Sequence, residues 1–270
     1  MNKISVICAV MGGLLANSLA DFALLEDFES YSAGAISPQS TSWSFDTADS
    51  NVASETGNKY LQLSTVTNGH VVFNDGNTLL ADNSIGTYFF RARMPVTGSH
   101  NGTGVSATEG YQNGWSDGGA IVRLGGTNPG SNIYGYNEGP TGPTGGTYPT
   151  LTTDTTTEFW YNLWVVLDNS GEQGSRTYDV YIQRDGDANF DTQQQIGSGL
   201  YYRWDANTVV GSIESLYFRN ANDGVSADFD DLYFDGAGEN LINPIPEPAT
   251  LGLVAVFGGG VLFIRRRFMM

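Results

Sequence analysis

Apolar residues along this chain fall in short runs and never hold a helical spacing for long. No window between residues 21 and 245 repeats them at a period of 3.6. Short stretches rich in aromatic and β-branched side chains recur instead, bounded by Gly, Asn, Asp and Ser, which is the pattern of strands and turns. It predicts strands over Phe22–Phe28, Tyr60–Ser64, Val71–Phe73, Thr87–Met94, Ala120–Leu124, Asn132–Tyr136, Phe159–Leu167, Thr177–Arg184, Ser212–Arg219 and Ala227–Phe234. In Thr177–Arg184, Tyr178, Val180 and Ile182 alternate with Thr177, Asp179, Tyr181 and Gln183, so one face is buried and one is wet. Phe159–Leu167 is apolar on both faces and belongs in the middle of a sheet. Many antiparallel strands joined by loops predict an all-β, two-sheet antiparallel sandwich.

One stretch breaks the rhythm. Asn137–Glu158 holds Gly-Pro-Thr-Gly-Pro-Thr-Gly-Gly and then a threonine run. Proline removes ladder donors and glycine raises the cost of ordering. The stretch reads as a long surface loop inside one domain, because too few strands flank it to build two cores. No internal repeat is evident.

Both ends carry addresses. Lys3, the apolar run Ile4–Leu15 and the small-x-small triplet Ser18-Leu19-Ala20 predict a signal peptide over residues 1–20, cut after Ala20 by signal peptidase. Cys8, the one cysteine, lies inside it, so the exported body has neither thiol nor disulfide. The other end reads Pro246-Glu247-Pro248, then an apolar run, then Arg265-Arg266-Arg267. The sixteen residues Ala249–Ile264 would span roughly 24 Å as a helix, slightly short of a hydrocarbon core of about 30 Å. Thinning of the bilayer or snorkelling of the arginines closes that gap. Three arginines beyond the helix keep the C-terminus cytoplasmic and the body periplasmic. A plain C-terminal anchor or a buried helix are the other readings of this run.

The triplet, transmembrane helix and arginine cluster, in this order, resemble the PEP-CTERM sorting signal of Gram-negative bacteria that make extracellular polysaccharide. The resemblance implies an exosortase substrate, held briefly in the inner membrane and then passed to the cell surface or extracellular matrix. It gives a destination and no activity.

Charge narrows the partners of the body. Between residues 21 and 245 eight basic residues face twenty-eight acidic ones, for a net charge near −20. That argues against nucleic acid and anionic membrane surfaces, and favours cations.

Four segments carry a second resemblance. They are Glu26-Asp-Phe-Glu-Ser-Tyr31, Phe159 to Asp168, Tyr178 to Gly186, and Phe229-Asp-Asp-Leu-Tyr-Phe-Asp235. Their order is similar to that of concanavalin A-like lectin/glucanase jelly rolls, with the last strand beside the first. The resemblance implies a jelly-roll body over residues 21–242, followed by the sorting region 243–270. Members of that superfamily bind glycans, hydrolyse them or serve structurally, and fold does not choose among these.

Catalytic machinery is not legible. Glucanases of this type align carboxylates as Glu-x-Asp-x-x-Glu on one strand face, and no such array is present. Glu26, Asp27 and Glu29 have other spacings, and Glu109, Glu158, Glu172 and Glu214 are isolated. His70 and His100 are the two histidines, too few for a His-based zinc centre without thiols. The reading is a protein that is not an enzyme.

Calcium as a structural cofactor has two candidate sites. Asp185, Asp187, Asn189 and Asp191 place oxygens at alternate positions like the first half of an EF-hand loop, but Phe190 and Ile196 stand where that loop needs Gly and Glu. The other reading is an acidic Asp-Gly turn. The second site would join Glu26, Asp27 or Glu29 on the first strand to Asp230 or Asp231 on the last. A cation there would relieve like-charge repulsion, and the alternative is acids facing water.

Glycan binding needs aromatic faces beside polar groups. Tyr111 and Trp115 in the Gly- and amide-rich loop Tyr111–Gly118 fit that need, and Tyr134 with Tyr136 on one strand face would extend the surface. The alternative folds Trp115 back over the sandwich edge. Trp43, Trp160, Trp164 and Trp204 read as core or sheet-face residues. Two functions therefore stand: a non-catalytic lectin-like module for extracellular polysaccharide, and a structural matrix or adhesion protein with no ligand site. A glycan-degrading enzyme is a distant third.

Overall fold

The computed structural model describes residues 22–45, 49–63, 69–93, 101–106, 119–125, 131–138, 147–156, 159–172, 174–184, 186–203, 211–220 and 227–245. The predicted signal peptide, the triplet Pro246–Pro248, the apolar run and Arg265–Arg267 lie outside these residues. Among the described residues no helix is long and apolar enough to cross a membrane.

The described chain is strands and turns with one short 3-10 turn, Ser37–Gln39. All ten predicted strands are present, with ends within three residues of expectation. In chain order the strands are β1 (Ala23–Glu26), β2 (Gly34–Ala35), β3 (Trp43–Phe45), β4 (Asn51–Glu55), β5 (Asn58–Gln62), β6 (Gly69–Phe73), β7 (Ile85–Arg93) and β8 (Asn101–Ser106). They continue as β9 (Ile121–Leu124), β10 (Ser131–Gly135), β11 (Thr150–Thr155), β12 (Trp160–Asp168), β13 (Thr177–Gln183), β14 (Gln194–Tyr201), β15 (Ser215–Asn220) and β16 (Asp228–Asp235). The pattern of apolar positions missed β2, β3, β4, β8, β11 and β14. Strand β11 corrects the reading of Asn137–Glu158 as one long loop: its threonines pair with β10, Ser131 opposite Thr155 and Tyr134 opposite Thr150.

Two antiparallel sheets result. The larger runs β14-β13-β12-β7-β16-β5-β4-β2, with β1 also on β16, and the smaller runs β11-β10-β9-β8-β15-β6-β3. Strand β12 is central, as its two-sided apolarity required, flanked by β7 over its full length and by β13 from Asn162 to Asp168. The first strand lies beside the last, Ala23 opposite Phe234.

The core fills the space between the sheets. Tyr88, Phe90 and Ala92 of β7, Tyr161, Leu163, Val165 and Leu167 of β12, and Phe229, Leu232 and Phe234 of β16 meet Val105, Val122, Ile133, Leu216 and Phe218 of the smaller sheet. Trp43 closes one edge against Phe28, Phe73 and Phe218. Each such aromatic contributes about 1.5–3 kcal/mol by leaving water.

One polar bridge crosses this core. The Tyr178 hydroxyl accepts from the Tyr136 amide at 2.7 Å and faces the carbonyl oxygens of Tyr136 at 2.7 Å and Ile121 at 2.9 Å. Tyr178 thus ties β13 to the far sheet, and Gly135 leaves room for it, because a Cβ there would stand 3.1 Å from the hydroxyl. Burial raises that phenol far above the ordinary tyrosine range, so it stays neutral. Replacing Tyr178 by Phe strips buried carbonyls of a donor, a cost of about 1–3 kcal/mol. Thermal melts of Tyr178→Phe should fall by several degrees while the far-UV CD spectrum stays unchanged.

Candidate functional site

Strand alternation sends a second set of side chains to the outer face of the larger sheet. These are Glu55 of β4, Asn58, Tyr60 and Gln62 of β5, Asp228 and Asp230 of β16, Phe89, Arg91 and Arg93 of β7, and Trp160, Asn162 and Trp164 of β12. Part of that face is roofed. The segment after β16 folds back across it, and the Trp164 Nε1 donates to the Ile242 carbonyl at 3.0 Å. Gln193 reaches the Leu241 carbonyl at 2.9 Å, and Phe22 packs edge-on against Phe89. Phe89 and Trp164 are fully buried as a result.

Next to the roofed part the face stays open as a pocket of about 410 Å³, lined by Glu55, Thr56, Asn58, Tyr60, Arg91, Arg93 and Trp160. Arg93 is its anchor. Its Nη1 donates to Glu55 at 2.6 Å, its Nε and Nη2 to one Asp228 oxygen at 2.9 and 2.7 Å, and its Nη2 to the Tyr60 hydroxyl at 3.2 Å. The guanidinium also lies 5.2 Å from the ring centres of both Tyr60 and Trp160, and that of Arg91 lies 5.3 Å from Trp160. Tyr60 and Trp160 meet edge to face at 5.4 Å. The two rings and two cations therefore hold one another in place.

The rim is a two-residue hairpin turn between β4 and β5. Thr56 and Gly57 both have positive φ, 54° and 89°, as a type I′ turn demands. Glycine accepts this readily, while a β-branched threonine does so under strain. Such strain persists only where the surrounding structure holds it in place. The turn sets Glu55 opposite Asn58, and Asn58 Nδ2 reaches down to Asp230 at 2.8 Å.

Beneath the pocket β16 carries a bulge. Asp230 pairs with Arg91 and Tyr233 with Phe89, so β16 advances three residues while β7 advances two. Asp231 takes the extra place with φ 51°. Two adjacent carboxylates then flank one guanidinium, Arg91 Nη1 lying 3.0 Å from Asp231 and 3.9 Å from Asp230. Burial, then the charge of Asp231, pushes the Asp230 carboxyl up to about 7. Burial also raises Asp231; Arg91 opposes this, and the charges of Asp27 and Glu29 add to it. The first strand does pair with the last, and of the expected acids Asp27 and Glu29 act through their charge on Asp231. Glu26 departs from the expectation: its carboxylate turns inward to the amides of Asp27 and Phe28, the Tyr31 hydroxyl at 2.6 Å and the Trp43 indole.

The other predicted residues are placed as follows. Asp187 is held by Arg184 at 3.1 Å, the Tyr161 hydroxyl at 3.2 Å and the Asn189 amide at 2.9 Å. The Asn189 amide, with Arg184 and Tyr161, keeps its carboxyl below the usual range. Asp191 accepts from the Gly186 amide at 2.8 Å, so these two acids close a turn on protein donors, while Asn189 is exposed. Asp185 lies outside the described residues. Among the described residues no three acidic or histidine side chains converge as a metal site requires. Tyr134 is half-buried, but Tyr136, at 5% exposure, offers no open ring face, because Tyr148, Arg123 and Arg203 surround it. Tyr111 and Trp115 lie outside the described residues, as do His100 and Trp204.

The strand pattern places Trp160 with the core and sheet faces without marking its pocket. The signal was partly there: Trp160, Asn162 and Trp164 alternate with Tyr161, Leu163 and Val165. Which of those tryptophans stays open depends on the chain after β16, which no periodicity reveals.

Asp230 gives a pH test. A carboxyl raised in the folded state binds its proton more tightly there than in the unfolded chain, where its value is about 3.9. Its contribution is present below that value and is lost as pH rises through 7. Asp230→Asn should flatten the fall in Tm between about pH 4 and 7 and raise Tm at pH 8 by several degrees. Melting curves across that range check it, and an unchanged profile assigns the titration elsewhere.

No protein-family model matches the sequence, and no curated protein matches it. Solved structures do. A GH43 glycoside hydrolase engineered to display endo-xylanase and exo-arabinofuranosidase activity aligns with a TM-score of 0.50 at 13% identity, over 82% of this chain and 42% of its own. The globular domain of T. cruzi calreticulin aligns at 0.47 and 10% identity, over 85% of this chain and 90% of its own. An endo-1,3-β-glucanase from Streptomyces sioyaensis aligns at 0.47 and 12%, over 83% and 100%. This chain spans less than half the length of the GH43 enzyme. At such identities the likeness is one of fold alone, a two-sheet antiparallel β-sandwich.

Proposed function

We propose that this is an exported surface or matrix protein whose sandwich binds polysaccharide through the Trp160 pocket without cleaving it. The observation that carries this is the pocket's lining. Trp160 and Tyr60 supply ring surface for the C–H faces of a sugar, and Asn58, Thr56 and Arg91 stand beside them with polar groups for its hydroxyls. The predicted signal peptide and the PEP-CTERM-like tail supply the export half of the reading, with signal peptidase and exosortase as processing partners.

The placement of the acids supports a reading without cleavage. Glycoside hydrolysis uses two carboxyl groups flanking the bond, one of them able to give a proton. Among the described residues Glu55 is the one acid lining the pocket, and Arg93 holds it at 2.6 Å. Asp228 and Asp230 lie below, buried under the arginines and Asn58. Calcium belongs to this reading as a counter-ion near Asp231, whose carboxyl also feels the charges of Asp27 and Glu29.

Retention on a polysaccharide panel tests the binding. Trp160→Ala should lose retention of whichever glycan the wild type holds, while its CD spectrum is unchanged. Loss through Trp115→Ala with Trp160→Ala neutral would move the site to the Tyr111–Gly118 loop. Release of reducing sugar by the wild type would overturn the non-catalytic reading. For calcium, millimolar metal should raise Tm and Asp231→Asn should remove the rise; a Tm indifferent to metal and chelator rejects it.

A further inference from the structure

The outer face of the smaller sheet carries a second concentration of charge, of the opposite kind to the body as a whole. Arg123 of β9 and Arg219 of β15 both pair with Gly102 of β8, one from each side. They share one row and one face, and glycine puts no side chain between them. Neighbouring strands lie about 4.8 Å apart, so the two Cα atoms stand roughly 10 Å from each other. Arg203 joins from the segment after β14. Its guanidinium lies 5.4 Å from the Tyr136 ring centre, and that of Arg123 lies 5.7 Å from it. Arg123 is also 5.8 Å from Tyr148, which meets Tyr136 edge-on at 4.6 Å. Burial raises the Tyr136 hydroxyl above the ordinary range, and the charges of Arg123, Arg203 and Arg219 all act to lower it. Three of the seven arginines between residues 21 and 245 therefore surround one tyrosine.

Such a gathering is costly in itself, because like charges repel. Glu138 offsets part of that cost, its carboxylate lying 3.4 Å from Arg203 Nε. Among the described residues Arg123 Nε and Arg203 Nη1 are buried with no acceptor. A buried donor without a partner costs about 1–3 kcal/mol. Arginine forks match oxyanions in shape as well as charge, and they do so best where water is scarce. Stacking on Tyr136 and Tyr148 fixes the forks in advance, so little side-chain freedom is lost on binding.

We infer that Arg123, Arg203 and Arg219 around Tyr136 form an oxyanion site for a sulfate, phosphate or carboxylate group, on the opposite outer face from the Trp160 pocket and independent of it. A free inorganic anion and an acidic substituent on a polysaccharide present the same chemistry to this site.

Calorimetric titration of the full chain at fixed ionic strength separates the outcomes. The probes are sodium sulfate, sodium phosphate, an oligoglucuronate, and a neutral gluco-oligosaccharide as control. Saturable heat with at least one anionic probe is expected. Arg123→Gln and Arg203→Gln should each weaken it about tenfold or more, as loss of one charge-assisted hydrogen bond predicts. Arg123→Lys keeps the charge but not the fork and should also weaken it, and near-UV CD verifies that each variant is folded. Trp160→Ala should leave anion binding unchanged. Preference for the oligoglucuronate over the inorganic ions identifies an acidic glycan as the source, and the reverse identifies a free anion. Absence of saturable heat with all anionic probes overturns the inference, and so does binding that survives in a folded Arg123→Gln/Arg203→Gln double variant.

Discussion

The extra residue at Asp231 decides which side chains of β16 meet the core and which meet the pocket. Phe229, Leu232 and Phe234 all face inward, although an unbroken strand would turn the last two outward after Phe229 and then place Asp231 and Tyr233 inside. A slip of one residue exchanges the faces of everything beyond it. The bulge absorbs that slip. It also sets Asp230 and Asp231 on either side of Arg91, and Arg91 then stands against Trp160. The large core and the small pocket thus share one backbone irregularity. Strand β16 is suited to the role because it is held by β7 on one side and by β5 and β1 on the other.

Much of this fold is legible because burial on one face or two leaves a pattern in the sequence. Phe159 to Leu167 announces a central strand, and Tyr178, Val180 and Ile182 announce a half-buried one. The strands that stayed hidden are those whose apolar content is slight. Strand β2 is Gly34–Ala35, β8 is glycine-rich, and β11 holds four threonines, so each is defined by ladder partners more than by its own side chains. Even the bulge leaves a trace: Phe229, Leu232 and Phe234 keep alternation only if one residue of the Asp-Asp pair is surplus.

The pocket is less legible, for a physical reason. Arg93 binds Glu55 and Asp228, which are 38 and 135 residues away along the chain. Neither acid is distinguished by its neighbours, and no local spacing encodes which arginine will find them. The same holds for the roof. Trp160 and Trp164 are equivalent in the strand pattern, and only the return of the chain through Ile242 buries one and leaves the other half-exposed. The acidic candidates illustrate the converse. Asp187 and Asp191 have the spacing of metal ligands, yet the backbone turn and Arg184 engage both the carboxylate of one and the loop of the other.

Charge placement links the two faces. A body near −20 is soluble and repels anions at long range. Its few arginines are not scattered over that surface. Arg176 ties down a loop through Asp82 and Arg184 through Asp187, and the remaining five divide between the pocket and the Tyr136 cluster, on opposite sides of the sandwich. Beyond roughly 8–10 Å at physiological salt the acidic surroundings are screened, so each cluster acts locally. The two faces differ in chemistry, one of rings beside polar groups and one of guanidiniums. Were both proposed sites to bind parts of one ligand, the rigid sandwich between them would raise the effective concentration at the second contact once the first is made, with no increase in the affinity of either.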